Sequence, residues 1–516
     1  VFQAYRDVIQ TVVDTSRRVA TTYATATNGN AQQRTTTHRL SVEAQPFLLD
    51  HCFFRQPANW RNVSDRFPVV PLTMLIELMS KAAQDLAPEQ SVVYLEHLRA
   101  YKWLAVEPPV EVKIKAARLD PERIKVQIEG YCECVVGLGE QRKTEQASAP
   151  TPEATLLEGA ELYGDRWMFH GPEYQGVRRV IKMDKNVIVG ELAALPAPGA
   201  LLDCAGQLLG FWVMKNTTID RLAMPILIER LDWYENPLKR NQSVECRVHI
   251  KRLTERQVRA DMELFAEGQT LFRIQGWTDQ RFDTNALSWP IIRYPEKNLF
   301  SRFDEQAYAL LDSPFETAAS QDYFHRRYLN ESERRAYQSL YPNQRYSWLA
   351  GRITAKDAVR KLLCTPGEDY PFPVEFEIRN DELGAPFAIG QGCSEVSLSI
   401  AHKERHAVAI ASKDRNVGID IELIEKREPS FYKAAFTESE LAMAPKTNRD
   451  MWATRIWCAK EAYAKATGQG LEGRPKAFEM DKDDGVVVHI NGHEVYTHQH
   501  GAFIVAYTHI NRGNDG

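Results

Sequence analysis

Two periods run through this chain. In VEVKIKAARL (110–119), RIKVQIEGYCECVV (123–136), SVECRVHIKRL (243–253), VRADMELFAEG (258–268) and LFRIQGWTD (271–279), apolar and polar residues alternate, the pattern of half-solvated antiparallel strands. Between them lie two apolar stretches with helical spacing, Leu72–Leu86 and Leu201–Met214. The first helix follows a segment containing His51 and the second follows HGPEY (170–174). Residues 39–285 therefore read as helix plus meander, twice over, in two similar α+β halves. Upstream, Phe2, Tyr5, Val8, Ile9, Val12 and Val13 have helical spacing and precede the polar run ATATNGNAQQRTTTH. Residues 1–38 thus read as a helical tail and linker from an upstream domain, and Val1 in place of Met suggests excision from a longer polypeptide. Pro290 and Pro295 in a stretch without period mark 286–312 as a linker. Helices and strands then alternate through 313–512. RYSWLAGRITAKDAVRKLL and RIWCAKEAYAKATG, ending at Gly468, are helical, and EVSLSIAH, HAVAIAS and VGIDIELI are strands.

With 516 residues, a prior of roughly 100–200 residues per domain suggests about three domain-sized units. A composition of 44% hydrophobic and 26% charged residues is that of ordinary globular protein, which excludes collagen-like, disordered and small disulfide-built chains. Basic residues number 64 and acidic ones 69, so there is no general field for nucleic acid. Eight cysteines without a CxxC pair argue against a zinc ribbon or thioredoxin-type site and for reduced thiols of a cytoplasmic protein. Phe67–Met79 and Ala200–Met214, the most apolar runs, contain Glu77 and Asp203 and fall short of the ~18 apolar residues of a membrane span. No secretory signal is visible at the N-terminus.

Chemistry concentrates between His402 and Lys465. In VGIDIE, Asp420 and Glu422 leave one face of a strand. In WCAKEAYAK, Trp457, Glu461 and Lys465 share a helix face, with Lys460 beside them. Three converging carboxylates call for a cation, and hard oxygen donors suit Mg²⁺ together with a phosphate-bearing ligand. Thr437 and Glu440 in FTESE have the capping-box spacing of a helix start.

GIDIE, FTESE and WCAKEAYAK, in this order, resemble the signature set of surfactin-type 4′-phosphopantetheinyl transferases. The resemblance implies a pseudo-twofold α/β fold over 313–512 that binds CoA and Mg²⁺ and transfers phosphopantetheine to a serine of an acyl carrier protein. It implies Asp420, Glu422 and Glu461 as metal ligands, with Glu461 also activating the acceptor serine. Lys460 and Lys465 fall where that family has cations near the CoA diphosphate, and His402 where it has a phosphate-contacting histidine. Arg345 and Arg352 are candidates for the 3′-phosphate. Where the family often has Gly-Lys-Pro, this chain reads Gly384-Ala385-Pro386; Arg379 is the nearby cation that could compensate.

Two acid–base candidates lie in the first region. His51 stands in QPFLLDHCFF just before an apolar helix, and Asp203 within GALLDCAGQLLGFW. Among Leu201, Leu202 and Ala205, a desolvated Asp203 is expected to have a raised pKa, as a proton donor near neutral pH would need. Gln207, one turn on, is placed to orient a substrate hydroxyl. YGDRWMFHGPEYQGV, LLDCAGQ and LLDH before VVPLT resemble the dehydratase domains of polyketide synthases and related fatty acid synthases. That resemblance implies a double hot-dog fold over 39–285, His51 as the base and Asp203 as the acid in dehydration of a 3-hydroxyacyl thioester. Here Arg55 replaces the family's glycine, and Pro71 lies twenty residues beyond His51 because RQPANWRNVSDRF is inserted.

The two regions in this order resemble the C-terminal end of an iterative type I polyketide synthase, of which the enediyne-type synthases have this arrangement. The implied partners are an acyl carrier protein domain, CoA and upstream synthase domains, with a homodimer formed through the dehydratase-like domain. Two other readings of the first region are a cyclase or product-template domain, which shares the shell and the His/Asp pair, and a catalytically silent scaffold for dimerisation and carrier docking.

Overall fold

The computed structural model describes residues 33–145, 155–235, 238–282, 284, 286–303, 308–315 and 317–512, so the helix read over the first residues lies outside them. They form two compact units. The first reaches Trp289 and takes in Thr317–Asp322, and the second comprises Pro290–Glu316 and the chain from Tyr323.

The first unit is built on a twelve-stranded antiparallel sheet. Its strands are β1 (Gln33–Leu40), β2 (Ser91–Ala100), β3 (Val110–Asp120), β4 (Arg123–Ile128), β5 (Cys132–Gly139), β6 (Leu157–Glu158), β7 (Val177–Met183), β8 (Val187–Ala193), β9 (Leu222–Trp233), β10 (Ser243–Leu253), β11 (Gln257–Ala266) and β12 (Gln269–Phe282). They run in the order β1-β3-β4-β5-β2-β9-β12-β11-β10-β8-β7-β6. The β2–β9 pair, with Leu95 opposite Leu231, joins a half wrapped on helix α1 (Leu72–Leu86) to a half wrapped on α2 (Ala200–Asn216). Each helix is buried in a curved sheet, which is the double hot-dog arrangement. The alternating strands turn Ile114, Val126, Cys132 and Cys134 inward toward Ile76 and Met79 of α1, while Leu208 and Leu209 of α2 meet Val248 and Met262. All eight cysteines are free thiols.

One expected linker segment is in fact strand. Residues 33–38 belong to β1, with Thr36 opposite Ile114 of β3. Its side chains are mostly exposed, so an edge strand that buries little carries no apolar alternation to announce it.

Gly199 ties the two helices together. Its φ of +75° is left-handed, and a Cβ there would lie 2.4 Å from the Met74 nitrogen, so only glycine suits the position. Its N–H donates to Glu77 Oε1 at 2.7 Å. The first turn of α2, which carries Asp203, is thereby fixed against α1.

The second unit repeats one plan. Helix α3 (Glu331–Ser339) and the long α4 (Pro342–Leu363) precede strands β14 (Glu377–Asn380) and β15 (Pro386–Ile389). A three-stranded sheet, β13 (Ala309–Asp312), β17 (His406–Ser412) and β16 (Ser397–Lys403), packs on α4. In the second half, β18 (Arg415–Leu423) leads to α5 (Glu438–Met443), α6 (Arg449–Ala466), β19 (Met480–Asp483), β20 (Val487–Ile490), β21 (His493–His500) and β22 (Phe503–Asn511). These strands form the sheet β18-β22-β21-β20-β19, with α6 on β18 and β22. The halves meet where Ser397 and Ser399 of β16 accept the N–H groups of Val417 and Ile419 of β18.

Most of the expected 286–312 linker belongs to this packing. Ser288–Arg293 is helical and Ala309–Asp312 is a strand. Ile291 and Phe300 are buried with Phe315, Phe324 and Tyr328, and the Phe300 and Ser301 N–H groups donate to the buried Asp357. Scattered prolines hid a segment anchored by a few large apolar residues.

Candidate active sites

In the first unit, His51 follows the turn Pro46–Asp50. Its Nδ1 donates to the Val69 carbonyl at 2.8 Å, which leaves Nε2 as the lone-pair nitrogen. The inserted loop does not carry His51 away from Pro71, because it closes at its base. The Phe53 and Phe54 N–H groups donate to the Phe67 and Arg66 carbonyls, and Gln56 and Trp60 both bond Asp65. The return strand then presents Val69 to His51. Phe53 and Phe169 lie edge-on to one another, and Trp103 packs against Phe53, forming an aromatic wall beside His51.

His51 Nε2 is 3.8 Å from Asp203 Oδ1. A second histidine, His170 of HGPEY and not among the expected site residues, sits on the other oxygen, 3.1 Å from Oδ2. Both imidazoles are buried, and the Asp203 side chain is 15% exposed. Gln207 is also buried, with its amide fully engaged. Nε2 donates to the Tyr174 carbonyl and to Asp203 Oδ2 at 2.8 and 2.9 Å, and Oε1 accepts from Tyr163 Oη at 2.8 Å. Gln207 therefore orients Asp203, and with both of its N–H groups taken it has no donor left for a substrate hydroxyl.

The expected rise in the Asp203 pKa is also corrected. Burial does push it up, but His170 and then His51, which the chain brings from distant segments, outweigh burial and hold the carboxyl below its ordinary range. Burial lowers the pKa of His170, against the pull of Asp203.

In the second unit, the strand face bearing Gly418, Asp420 and Glu422 lies against α6. A Cβ on Gly418 would stand 1.9 Å from the Ala462 carbonyl oxygen, so glycine is what lets α6 lie on β18. Asp420 is 7% exposed. Its Oδ1 accepts from Lys465 Nζ at 2.8 Å, while its buried Oδ2 has no hydrogen-bond partner. Glu422 Oε2 has Lys403 Nζ at 2.8 Å, outside hydrogen-bonding direction, and Arg427 Nη2 at 3.7 Å. Burial, then the neighbouring carboxylates, raises the pKa of Glu461, and burial raises that of Asp420. Mutual repulsion is met here by the ammonium groups of Lys465 and Lys403, and the three carboxylates are not drawn within 4.8 Å of one another as a set. The all-oxygen donors and the unpartnered Oδ2 fit a hard divalent cation. His402 lies at the rim, its pKa lowered by burial and by Lys465.

Lys460 is not at this site. It is wholly buried, bonded to Glu440 and to the carbonyls of Ala435 and Pro475, because neighbours in a helix diverge by about 100° and Lys460 leaves a different face from Glu461. Arg345 donates to the carbonyls of Gln338 and Leu340. Arg352 bonds Asn380 and stacks on Trp348, with its buried Nε unpartnered. Arg379 is held by Glu377. Lys403 and Arg427 are the cations beside the carboxylates that the sequence reading missed. Among the described residues, a further group of close metal-type donors is Asp312, His406 and His500, where Arg302 also contacts Asp312.

The fold and the two centres define a two-enzyme chain of acyl-carrier chemistry, a polyketide synthase dehydratase fused to a phosphopantetheinyl transferase. Residues 416–508 match the 4′-phosphopantetheinyl transferase superfamily. Residues 23–131 match the polyketide synthase dehydratase domain and 140–288 the polyketide synthase dehydratase N-terminal domain. A holo-[acyl-carrier-protein] synthase of Anoxybacillus flavithermus is 37% identical over 87 residues, 17% of this chain and 72% of that one; one of Bacillus cereus is 38% identical over a stretch of the same length. The dehydratase domain of a mycocerosic acid synthase-like polyketide synthase aligns with a TM-score of 0.40 at 19% identity, over 50% of this chain and 94% of that one. The dehydratase domain from the CurF module of the curacin polyketide synthase gives 0.40 at 16%, over 50% and 96%. Through its second unit the chain belongs to the 4′-phosphopantetheinyl transferase superfamily.

Proposed function

We propose that the second unit moves phosphopantetheine from CoA to a serine of an acyl carrier protein domain, with Mg²⁺ held by Asp420, Glu422 and Glu461. The first unit then removes water from the 3-hydroxyacyl thioester on that carrier. The observation that carries the transferase reading is a buried strand face with two carboxylates, one oxygen unpartnered, set against a helix that supplies a third. When bound there, Mg²⁺ would polarise the CoA diphosphate and offset charge on the departing 3′,5′-ADP. Lys465, Lys403 and Arg427 line the same carboxylates and are placed to turn toward the diphosphate. His402 donates to phosphate at the rim, and Arg352, with a free Nε, takes the 3′-phosphate. Glu461, its pKa raised by burial, accepts the serine proton directly or through water.

In the first unit, His51 Nε2 takes the α-proton and Asp203 protonates the leaving hydroxyl. The carrier and upstream synthase domains are the partners, in a cytoplasmic homodimer built through the first unit. Incubation with CoA, Mg²⁺ and an apo carrier domain should add the mass of one phosphopantetheine to the carrier, and Glu461→Gln should abolish the gain. An unchanged carrier mass with the wild type would refute the transferase reading. A synthetic 3-hydroxyacyl thioester should yield the α,β-unsaturated product; a cyclised product or unreacted substrate would point to the cyclase or scaffold reading instead.

A further inference from the structure

We propose that His170 is a positioning residue for dehydration: with Gln207 it occupies Oδ2 of Asp203 and confines the transferable proton to Oδ1, the oxygen facing His51. The inference rests on the dehydratase reading of the site and adds a fourth side chain to His51, Asp203 and Gln207.

Hydrogen-bond directions carry the argument. The Val177 N–H donates to Tyr163 Oη at 2.9 Å, so the phenol's own proton is free to go to Gln207 Oε1. That fixes the Gln207 amide with its nitrogen toward Tyr174 and Asp203. One donor to Oδ2 is therefore set by a chain anchored in the backbone. The second is His170 Nε2. The Nδ1 of His170 is buried with no partner; an N–H there would be a buried orphan donor, so the bare lone pair is the cheaper choice. Neutral His170 with its proton on Nε2 follows, donating to Oδ2. With two donors on Oδ2, an acid proton on Asp203 belongs on Oδ1. The 3.8 Å between Oδ1 and His51 Nε2 is longer than a hydrogen bond, so neither atom is committed to the other and both can face the substrate's α-carbon and β-hydroxyl from one side.

The proton balance follows. The Cα–H proton passes to His51 Nε2 as the Cβ–O bond breaks, and the Oδ1 proton leaves with the hydroxyl as water. Asp203 ends as a carboxylate that still accepts from Gln207 and His170, and it regains its proton from His51 after product leaves. The titratable groups facing Asp203 are His51, His170, Tyr163, Tyr174 and, on its own helix, Cys204. Of these, the two histidines lower its pKa.

The test gives a synthetic 3-hydroxyacyl pantetheine thioester to the full chain and to its His170→Phe and His170→Gln variants. His170→Phe keeps the ring packed on Phe169 (centroids 4.0 Å apart) but removes the donor. It should lower kcat about tenfold or more and leave KM within about twofold. His170→Gln, which keeps an N–H at the position of Nε2, should recover most of the rate. Superposable rates for wild type and His170→Phe would overturn the inference, as would a loss in His170→Gln as deep as in His170→Phe. A wild type that forms no enoyl product would sink the dehydratase reading instead. The imidazole ¹⁵N shifts of the wild type, assigned by difference against His170→Phe, then decide separately. A bare Nδ1 and a protonated Nε2 are expected, and an Nδ1–H tautomer would overturn the inference.

Discussion

Lys460 Nζ lies 2.7 Å from Glu440 Oε1 and 2.8 Å from Oε2, both side chains wholly buried. Glu440 also accepts the Thr437 N–H in its capping box and the Met480 N–H that opens β19. The first half of the unit contains the same device. Glu333 accepts from Asn330 N–H, Ile378 N–H and Lys356 Nζ, and Lys356 reaches the carbonyls of Pro373 and Phe376. A helix start, a long helix and a strand are thus locked together twice, a pseudo-twofold relation visible in hydrogen bonds. Removing one partner strands a buried charge, so Lys460→Ala should cost about 3–5 kcal/mol, read by urea denaturation. Lys460→Met protein that remains folded should keep the wild-type KM for CoA; a large rise in that KM would return Lys460 to the cofactor site.

Gly418→Ala tests how close the carboxylate strand must lie to α6. The added methyl would meet the Ala462 carbonyl oxygen and the Ala466 nitrogen, 1.9 and 2.7 Å from its ideal position. Backbone atoms cannot turn aside as a side chain can, so β18 and α6 must separate, at about 1–3 kcal/mol. Since Asp420 and Glu461 stand on the two separated elements, carrier modification should fall by more than the melting temperature alone would explain.

How much of this was legible in the sequence follows from where each feature's partners lie. Strands β3–β5 and helix α1 were readable because their burial alternates or repeats within a few residues. The shared faces of Asp420 with Glu422 and of Glu461 with Lys465 were readable because each follows from a local period of two or four residues. Lys460 was misplaced, since its partner is Glu440 in another helix and its direction differs from that of Glu461 by one helical step. The pKa of Asp203 was misjudged for the same reason. Its apolar neighbours are adjacent in sequence, whereas His51 and His170 arrive through the fold. His170 did leave a signal, a histidine directly before Gly171-Pro172, but nothing local says which side chain it meets.

Mg²⁺ binding should be visible without turnover. A ligand that binds only the folded state stabilises it by RT ln(1 + [L]/Kd), about 2.7 kcal/mol at a hundredfold excess over Kd. Millimolar Mg²⁺ should therefore raise the melting temperature of the second unit in the wild type. Asp420→Asn and Glu422→Gln should remove that rise, because each takes a ligand charge away. Lys403→Met should leave the rise intact or enlarge it, since an ammonium competing for Glu422 is gone. A rise that persists undiminished in Asp420→Asn would place the ion elsewhere.

Asp279 offers a test of burial in the first unit that is independent of catalysis. It is 2% exposed, with Oδ1 accepting from Trp277 Nε1 at 2.6 Å. Burial, only partly opposed by that hydrogen bond, pushes its pKa up to about 7. The folded chain therefore holds a proton that the unfolded chain releases near pH 4. Wherever the folded state binds more protons, stability falls as pH rises, so this group's contribution declines from about pH 4 to about pH 7 and is flat above. The full cost above that window is on the order of 4 kcal/mol. Asp279→Asn keeps an acceptor for Trp277 and carries no charge to desolvate. Its melting temperature should exceed that of the wild type at pH 8 and approach it near pH 4.5, with the gap opening steadily between. A gap independent of pH would mean that Asp279 carries its charge at no cost in the fold, with a pKa no higher than in the unfolded chain.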